Sequence, residues 1–186
     1  MKSLVLSLIL AVISISAFSQ TKLSTTTGHI KFFSSTPAED IEANNYKALS
    51  VIKLDKGSIV FSIPMQSFEF EKALMQKHYN SKKFLDTKTF PKSKFKGTIT
   101  NLSEVNFDND GSYEANVKGY LTIHGITKEI LQKFKITVKD GNITGITEFD
   151  IELADYGILF KDGKPSTNIA KTIKITANLN YSKISA

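Results

Sequence analysis

The chain contains no cysteine, no arginine and no tryptophan. Without cysteine there can be no disulfide framework, no thiolate nucleophile and no thiolate metal ligand. Without arginine, all 24 basic residues are lysine. Specific readers of nucleic acid lean on the planar arginine fork for bidentate contacts to guanine and phosphate. The formal charge of +6 is therefore read as a solvated exterior, because the lysines are scattered between apolar residues along predicted strands. No nucleic-acid partner is expected. Long hydrophobic runs are also missing, with one exception at the start. Nor is there a glycine-rich phosphate cradle or a G-x-S-x-G elbow.

The exception reads as an address for export. Met1-Lys2 is a minimal basic start, Leu4 to Ile15 is almost unbroken apolar sequence, and Ala17-Phe18-Ser19-Gln20 offers small residues at an A-x-A-like spacing. Cleavage before Gln20 follows from that pattern. A membrane anchor would need ~20 apolar residues, more than the run supplies. No cysteine stands at the cleavage point, so a lipoprotein anchor is excluded. Residues 1–19 are read as a signal peptide and 20–186 as one domain with one core. The expected location is the periplasm or the medium, and the expected protein is not an integral membrane protein.

Period two dominates after residue 28. From Tyr113 to Ile123 the alternation is complete, with Tyr113, Ala115, Val117, Gly119, Leu121 and Ile123 on one face and polar residues or Tyr120 on the other. Ile173, Ile175, Ala177, Leu179 and Tyr181 repeat it, and so do Phe134, Ile136 and Val138. Strand side chains alternate sides, so each segment has one apolar and one wet face. Weaker matches cover Gly28–Phe33, Tyr46–Leu54, Ile59–Ile63, Phe95–Thr100 and Thr147–Leu153. Turns such as Asp55-Lys56-Gly57 and Lys139-Asp140-Gly141-Asn142 supply residues that tolerate positive φ. About eight strands joined mostly by hairpins cannot leave an apolar face open. The expected fold is all-β, an antiparallel barrel (or a sandwich) that buries this face and its edges.

One segment breaks the rhythm. Ser67 to Tyr79 has helical spacing, with Phe70, Leu74 and His78 at i, i+4 and i+8 and Ser67 as an N-cap. A short helical insertion over about residues 67–80 is expected, followed by Pro91 at the approach to the next strand.

Little here has the shape of catalytic chemistry. His29, His78 and His124 are not spaced as metal ligands. Asn106-x-Asp108-x-Asp110-Gly111 resembles the opening of a calcium loop, but Val117 stands where the bidentate glutamate belongs. Glu148, Asp150 and Glu152 alternate on one strand face, where an outward position makes them solubilising charge. No catalytic residue, no metal site and no cofactor are expected, and the protein is not expected to be an enzyme. What remains is an aromatic interior: 13 phenylalanines, with Phe32, Phe61, Phe95, Phe134 and Phe149 on apolar faces. A barrel of about eight strands either fills with side chains or holds one small ligand.

Three segments carry a resemblance. They are Ser67 to Gly97, which includes Phe90-Pro91-Lys92-Ser93-Lys94-Phe95, then Gly119-Tyr-Leu-Thr-Ile-His-Gly-Ile-Thr-Lys-Glu-Ile130, and the terminal strand Lys171 to Leu179. Together they resemble the YceI-like, lipocalin-like polyisoprenoid-binding proteins over essentially all of residues 20–186, the Gly119–Lys128 block most specifically. The resemblance implies an eight-stranded antiparallel lipocalin-like barrel, exported, with an elongated cavity for an isoprenoid or fatty-acid-like chain; it also allows a homodimer. The helix departs from the family pattern, with Leu74-Met75-Gln76-Lys77-His78-Tyr79 in place of arginine-aspartate-x-histidine-leucine. With the alternating faces, it makes Phe61, Phe95, Ile99, Val117, Leu121, Phe134, Ile136, Phe149, Ile151 and Ile175 the expected ligand-facing lining. The competing reading is a barrel filled by those same side chains, with a structural or protein-interaction role.

Overall fold

A computed structural model describes residues 21–158 and 168–184. The expected signal peptide lies outside the described residues. The strands are β1 (Lys22–Ser35), β2 (Asp40–Lys53), β3 (Ser58–Pro64), β4 (Glu69–Phe70), β5 (Lys92–Ile99), β6 (Gly111–Ile123), β7 (Ile126–Lys139), β8 (Asn142–Glu152) and β9 (Thr172–Ile184). The sheet order is β1-β9-β8-β7-β6-β5-β3-β2, and β1 pairs with β2 to close an eight-stranded antiparallel barrel. The two-residue β4 is an extra strand on β2.

The inside is apolar because the period-two faces point there. On β6, Ala115, Val117 and Leu121 are buried while Glu114, Lys118 and Tyr120 are exposed. The outer face carries ion pairs across strands: Lys118–Glu129 at 2.7 Å, Lys133–Glu114 at 2.8 Å and Lys174–Glu148 at 2.8 Å. A lipid-facing barrel needs the reverse pattern, an apolar band outside. No helix among the described residues is long and apolar enough to cross a membrane.

β1 and β2 are longer than the alternation in the sequence suggests, and the register explains why. Pairing shifts between Thr25 and Gly28 and again between Gly28 and Ile30. Thr26 and Thr27 both face out, as do Tyr46 and Lys47. One extra residue on each strand makes two compensating bulges, and each bulge resets the inside–outside phase. On the outer side, His29 stacks on Tyr46 with centroids 4.6 Å apart, and its Nε2 lies 2.8 Å from Asn44 Oδ1.

The helical insertion is present but shorter than its sequence pattern. The helix α1 spans Ala73–Asn80 and is preceded by a 3-10 turn at Met65–Ser67. Ser67 caps nothing; Lys72 holds the N-cap position. Phe68 is buried and Phe70 sits in β4, paired with Ala43. Both rings are needed at the barrel's rim, so the chain stays extended there and turns helical only after it has delivered them.

The two ends of the barrel differ. At one end the turns are tight, and the segment from Leu102 to Phe107 folds under the barrel with Val105 and Phe107 buried. Asn106 accepts the N–H groups of Asp108 and Asn109, and Asp108 pairs with Lys183 at 2.7 Å. At the other end lie α1, β4 and the 3-10 turn Leu153–Tyr156. The wall is also looser here between β7 and β8. They pair only from Lys135↔Ile146 to Lys139↔Asn142. Above that, Thr147 Oγ1 donates to the Lys133 carbonyl at 2.8 Å, and Lys128 reaches Asp155 at 3.4 Å.

Candidate functional site

The loose end encloses a cavity of about 770 Å³. Its boundary is sharp on strand after strand. On β3 the lining begins at Phe61 and excludes Ile59; on β5 it begins at Phe95 and excludes Gly97. On β6 the step falls between Gly119 and Leu121, on β7 between Ile136 and Phe134, and on β9 between Leu179 and Ala177. Below that line the barrel is solid, packed with Leu23, Ile52, Ile59, Val117, Ile136, Ile143 and Leu179, none more than 2 % exposed.

Three phenylalanines form the floor. Phe61 packs on Phe95 at 6.1 Å and on Phe134 at 6.0 Å between ring centroids, within the range of favourable edge and offset contacts. Under Phe95 lie Gly97 and Gly119, paired directly across β5 and β6. A Cβ on Gly97 would stand 2.6 Å from Phe95 Cζ, and one on Gly119 would stand 2.4 Å from Gly97 Cα. These two glycines let the Phe95 ring lie down against the backbone. That accounts for Gly119 in the most specific block of the sequence.

The mouth is an aromatic collar with a polar rim. Phe32, Phe68 and Phe70 surround Tyr79, with centroids 5.9, 5.7 and 5.0 Å from its ring. The Tyr79 hydroxyl is buried without a hydrogen-bond partner, and burial pushes its pKa well above the ordinary tyrosine value. At the rim, Lys72 Nζ donates to Glu39 at 2.6 Å, and Asn168 Nδ2 donates to the same carboxylate at 3.2 Å. The Lys72 bond, then the Asn168 bond, hold the Glu39 pKa below the ordinary carboxylate range. Glu39 thus joins the β1–β2 connection, the start of α1 and the segment leading to β9. Leu74 and His78, both exposed, also line the opening. His124 sits apart, at the β6–β7 hairpin tip against Phe90, its Nδ1 3.3 Å from the Tyr156 carbonyl.

Of the residues expected to line a ligand space, Phe61, Phe95, Leu121, Phe134, Phe149, Ile151 and Ile175 are brought together around the cavity. Ile99, Val117 and Ile136 are buried in the solid half beneath the floor. The sequence reading missed the collar, Phe68, Phe70 and Tyr79, because helical spacing absorbed those residues. It also missed the Glu39–Lys72–Asn168 junction, whose members are far apart in the chain. Glu148 and its neighbours are on the outer face, where Lys174 and Thr176 donate to Glu148. No group of three His, Asp or Glu residues is placed to hold a metal among the described residues.

A closed antiparallel barrel, solid at one end and hollow and apolar at the other, has the architecture of a binding barrel. A YceI-like domain profile matches residues 11–181, so the chain belongs to the YceI-like family. Solved structures of similar fold include a polyisoprenoid binding domain from Saccharophagus degradans implicated in plant cell wall breakdown. It has 14% identity and a TM-score of 0.74, and the match covers 89% of this chain and 99% of that one. BcnA of Burkholderia cenocepacia is 17% identical with a TM-score of 0.69, over 83% of this chain and 96% of that one. The YceI protein of Campylobacter jejuni is 20% identical with a TM-score of 0.54, over 77% and 84%. At these identities the likeness is one of fold. No curated protein matches the sequence.

Proposed function

We propose that this protein is an exported binding protein that holds one apolar chain, an isoprenoid or another lipid, in the hollow half of its barrel. The observation that carries the reading is the cavity itself: about 770 Å³ with a mostly apolar wall, in which phenylalanine and isoleucine are the commonest residues. That size falls within the range of small-molecule sites. The polyisoprenoid binding described for the Saccharophagus degradans domain supports the same class of ligand. Each buried CH₂ contributes ~0.8 kcal/mol, so ten carbons gain roughly 8 kcal/mol. Association costs at least ~4 kcal/mol, which leaves only about millimolar binding for a ten-carbon chain. Tight binding without a charged anchor therefore calls for a longer chain. A filled structural barrel would not leave this space above the phenylalanine floor.

The reading includes no catalytic step; the three histidines lie at a stacking contact, a hairpin tip and the rim. Export rests on the basic start, the apolar run and Ala17-x-Ser19. The test is to purify the protein from the periplasm or medium of its native host, sequence its N-terminus, and extract it for mass spectrometry. A mature end at or near Gln20 and a near-stoichiometric lipid are expected. An intact Met1 would sink export, and repeated extraction of no apolar molecule would sink the carrier reading.

A further inference from the structure

The cavity has a hard floor and an open mouth, and this asymmetry bears on which chains fit. The floor is not a soft surface. Phe95 is backed by the Gly97–Gly119 pair, where the two strands leave no room even for a Cβ. Phe134 is backed by Ile136, which is 1% exposed. At the mouth, by contrast, Leu74 is 62% exposed while still lining the cavity. A chain that grows longer than the cavity can only protrude upward.

We propose that the Phe61–Phe95–Phe134 floor is a ruler that sets how much of an apolar chain the protein buries, so that its ligand is selected by chain length. This rests on the binding role proposed above and adds a specificity determinant to it. Two estimates bound the length. The lining runs along β8 from Thr147 to Leu153, the first residue past the strand's end, which is ~20 Å of extended chain at ~3.3 Å per residue and about 15 Å of depth at a typical barrel tilt. An extended chain advances about 1.2 Å per bond, so a single straight pass meets the floor after about 12 carbons. The volume of about 770 Å³ admits on the order of 25 carbon-sized groups, taking a methylene as close in size to a water at ~30 Å³. The buried length therefore lies between about 12 and about 25 carbons, the upper value requiring a folded or branched chain.

The experiment uses full-length mature protein stripped of lipid and a series of linear saturated alcohols from eight to 26 carbons, delivered from cyclodextrin. Affinity is measured for wild type, Phe134→Ala and Ala177→Leu. In wild type each added carbon should raise affinity about fourfold until the floor is reached, then add almost nothing. Phe134→Ala should move that break to longer chains by roughly three carbons, about half the ring removed, since such spaces partly collapse. Ala177→Leu fills the floor from the β9 side and should move the break to shorter chains by about two carbons. The break is read within each variant, so a general loss of stability does not mimic the effect, and Ala177→Leu, which adds bulk to empty space, guards against a Phe134→Ala protein that folds poorly. Breaks that stay in place in both variants would overturn the ruler while leaving the binding role standing. Failure of every alcohol to bind wild type would overturn both.

Discussion

The two halves of this barrel are built from the same strands and end in different states. Below the phenylalanine floor, isoleucines, leucines and valines from facing strands interdigitate; above it, similar residues stand around open space. Their inward-facing aliphatic residues do not separate them. Ile136 and Ile175 are both inward-facing isoleucines, yet one is 1% exposed in the solid half and the other lines the cavity. The difference lies in what crosses the barrel's ends. The Leu102–Phe107 segment and tight turns close one end, while a collar held off by α1 and β4 keeps the other apart. Stability should therefore reside in one half and ligand dependence in the other.

The largest expected effect is at Gly119. Its missing Cβ would collide with the Gly97 backbone at 2.4 Å and the Lys96 carbonyl at 2.5 Å, and backbone has little room to yield. Gly119→Ala should cost at least about 3 kcal/mol in chemical denaturation. A near-neutral result would mean that β5 and β6 are not held as close as described.

Next comes the matched pair. Ile136→Ala should cost ~2–5 kcal/mol, because it opens a void in close-packed surroundings. Ile175→Ala should cost about 1 kcal/mol in lipid-free protein, since its side chain already faces open space, and should weaken ligand-dependent stabilisation instead. Equal losses would erase the distinction between the halves.

Tyr79→Phe is predicted to be neutral or stabilising by about 1 kcal/mol, because it removes a buried hydroxyl that has no partner. A clear loss in urea denaturation would show that the hydroxyl is satisfied after all. Its counterpart in the solid half, Tyr181, exchanges a 2.8 Å hydrogen bond with Ser50, and burial pushes its pKa up. A tyrosine whose folded pKa is raised contributes stability that is complete below the unfolded value of ~10 and is lost as pH rises above it. Wild type should therefore weaken above about pH 10, and Tyr181→Phe should weaken less steeply; parallel alkaline profiles would contradict this.

Much of the wall was legible in the chain, and the reason is regularity. β6 pairs without interruption on both sides, from Ile99↔Val117 on β5 and throughout β7, so its alternation runs unbroken from Tyr113 to Ile123. The first halves of β1 and β2 were not legible, because the bulges at Thr26-Thr27 and Tyr46-Lys47 reverse the phase. The division into halves was not legible either. Val117 and Leu121 share one face of one strand, and only depth in the barrel decides that the first is core and the second cavity wall. Depth is set by residues brought in from elsewhere, Phe61 and Phe134 above all. The collar was misread for a related reason: Phe70, Leu74 and His78 do keep helical spacing, but pairing of Glu69–Phe70 with β2 claims the first of them.

The most direct test of a barrel that is solid below and receptive above is thermal unfolding of lipid-stripped protein with increasing amounts of a twenty-carbon isoprenoid alcohol, for wild type, Ile136→Ala and Ile175→Ala. The account predicts that Tm of wild type rises with ligand concentration, that Ile136→Ala starts lower but keeps the full rise, and that Ile175→Ala starts near wild type and loses part of it. No rise in wild type at any concentration, with both variants equally destabilised, would contradict it.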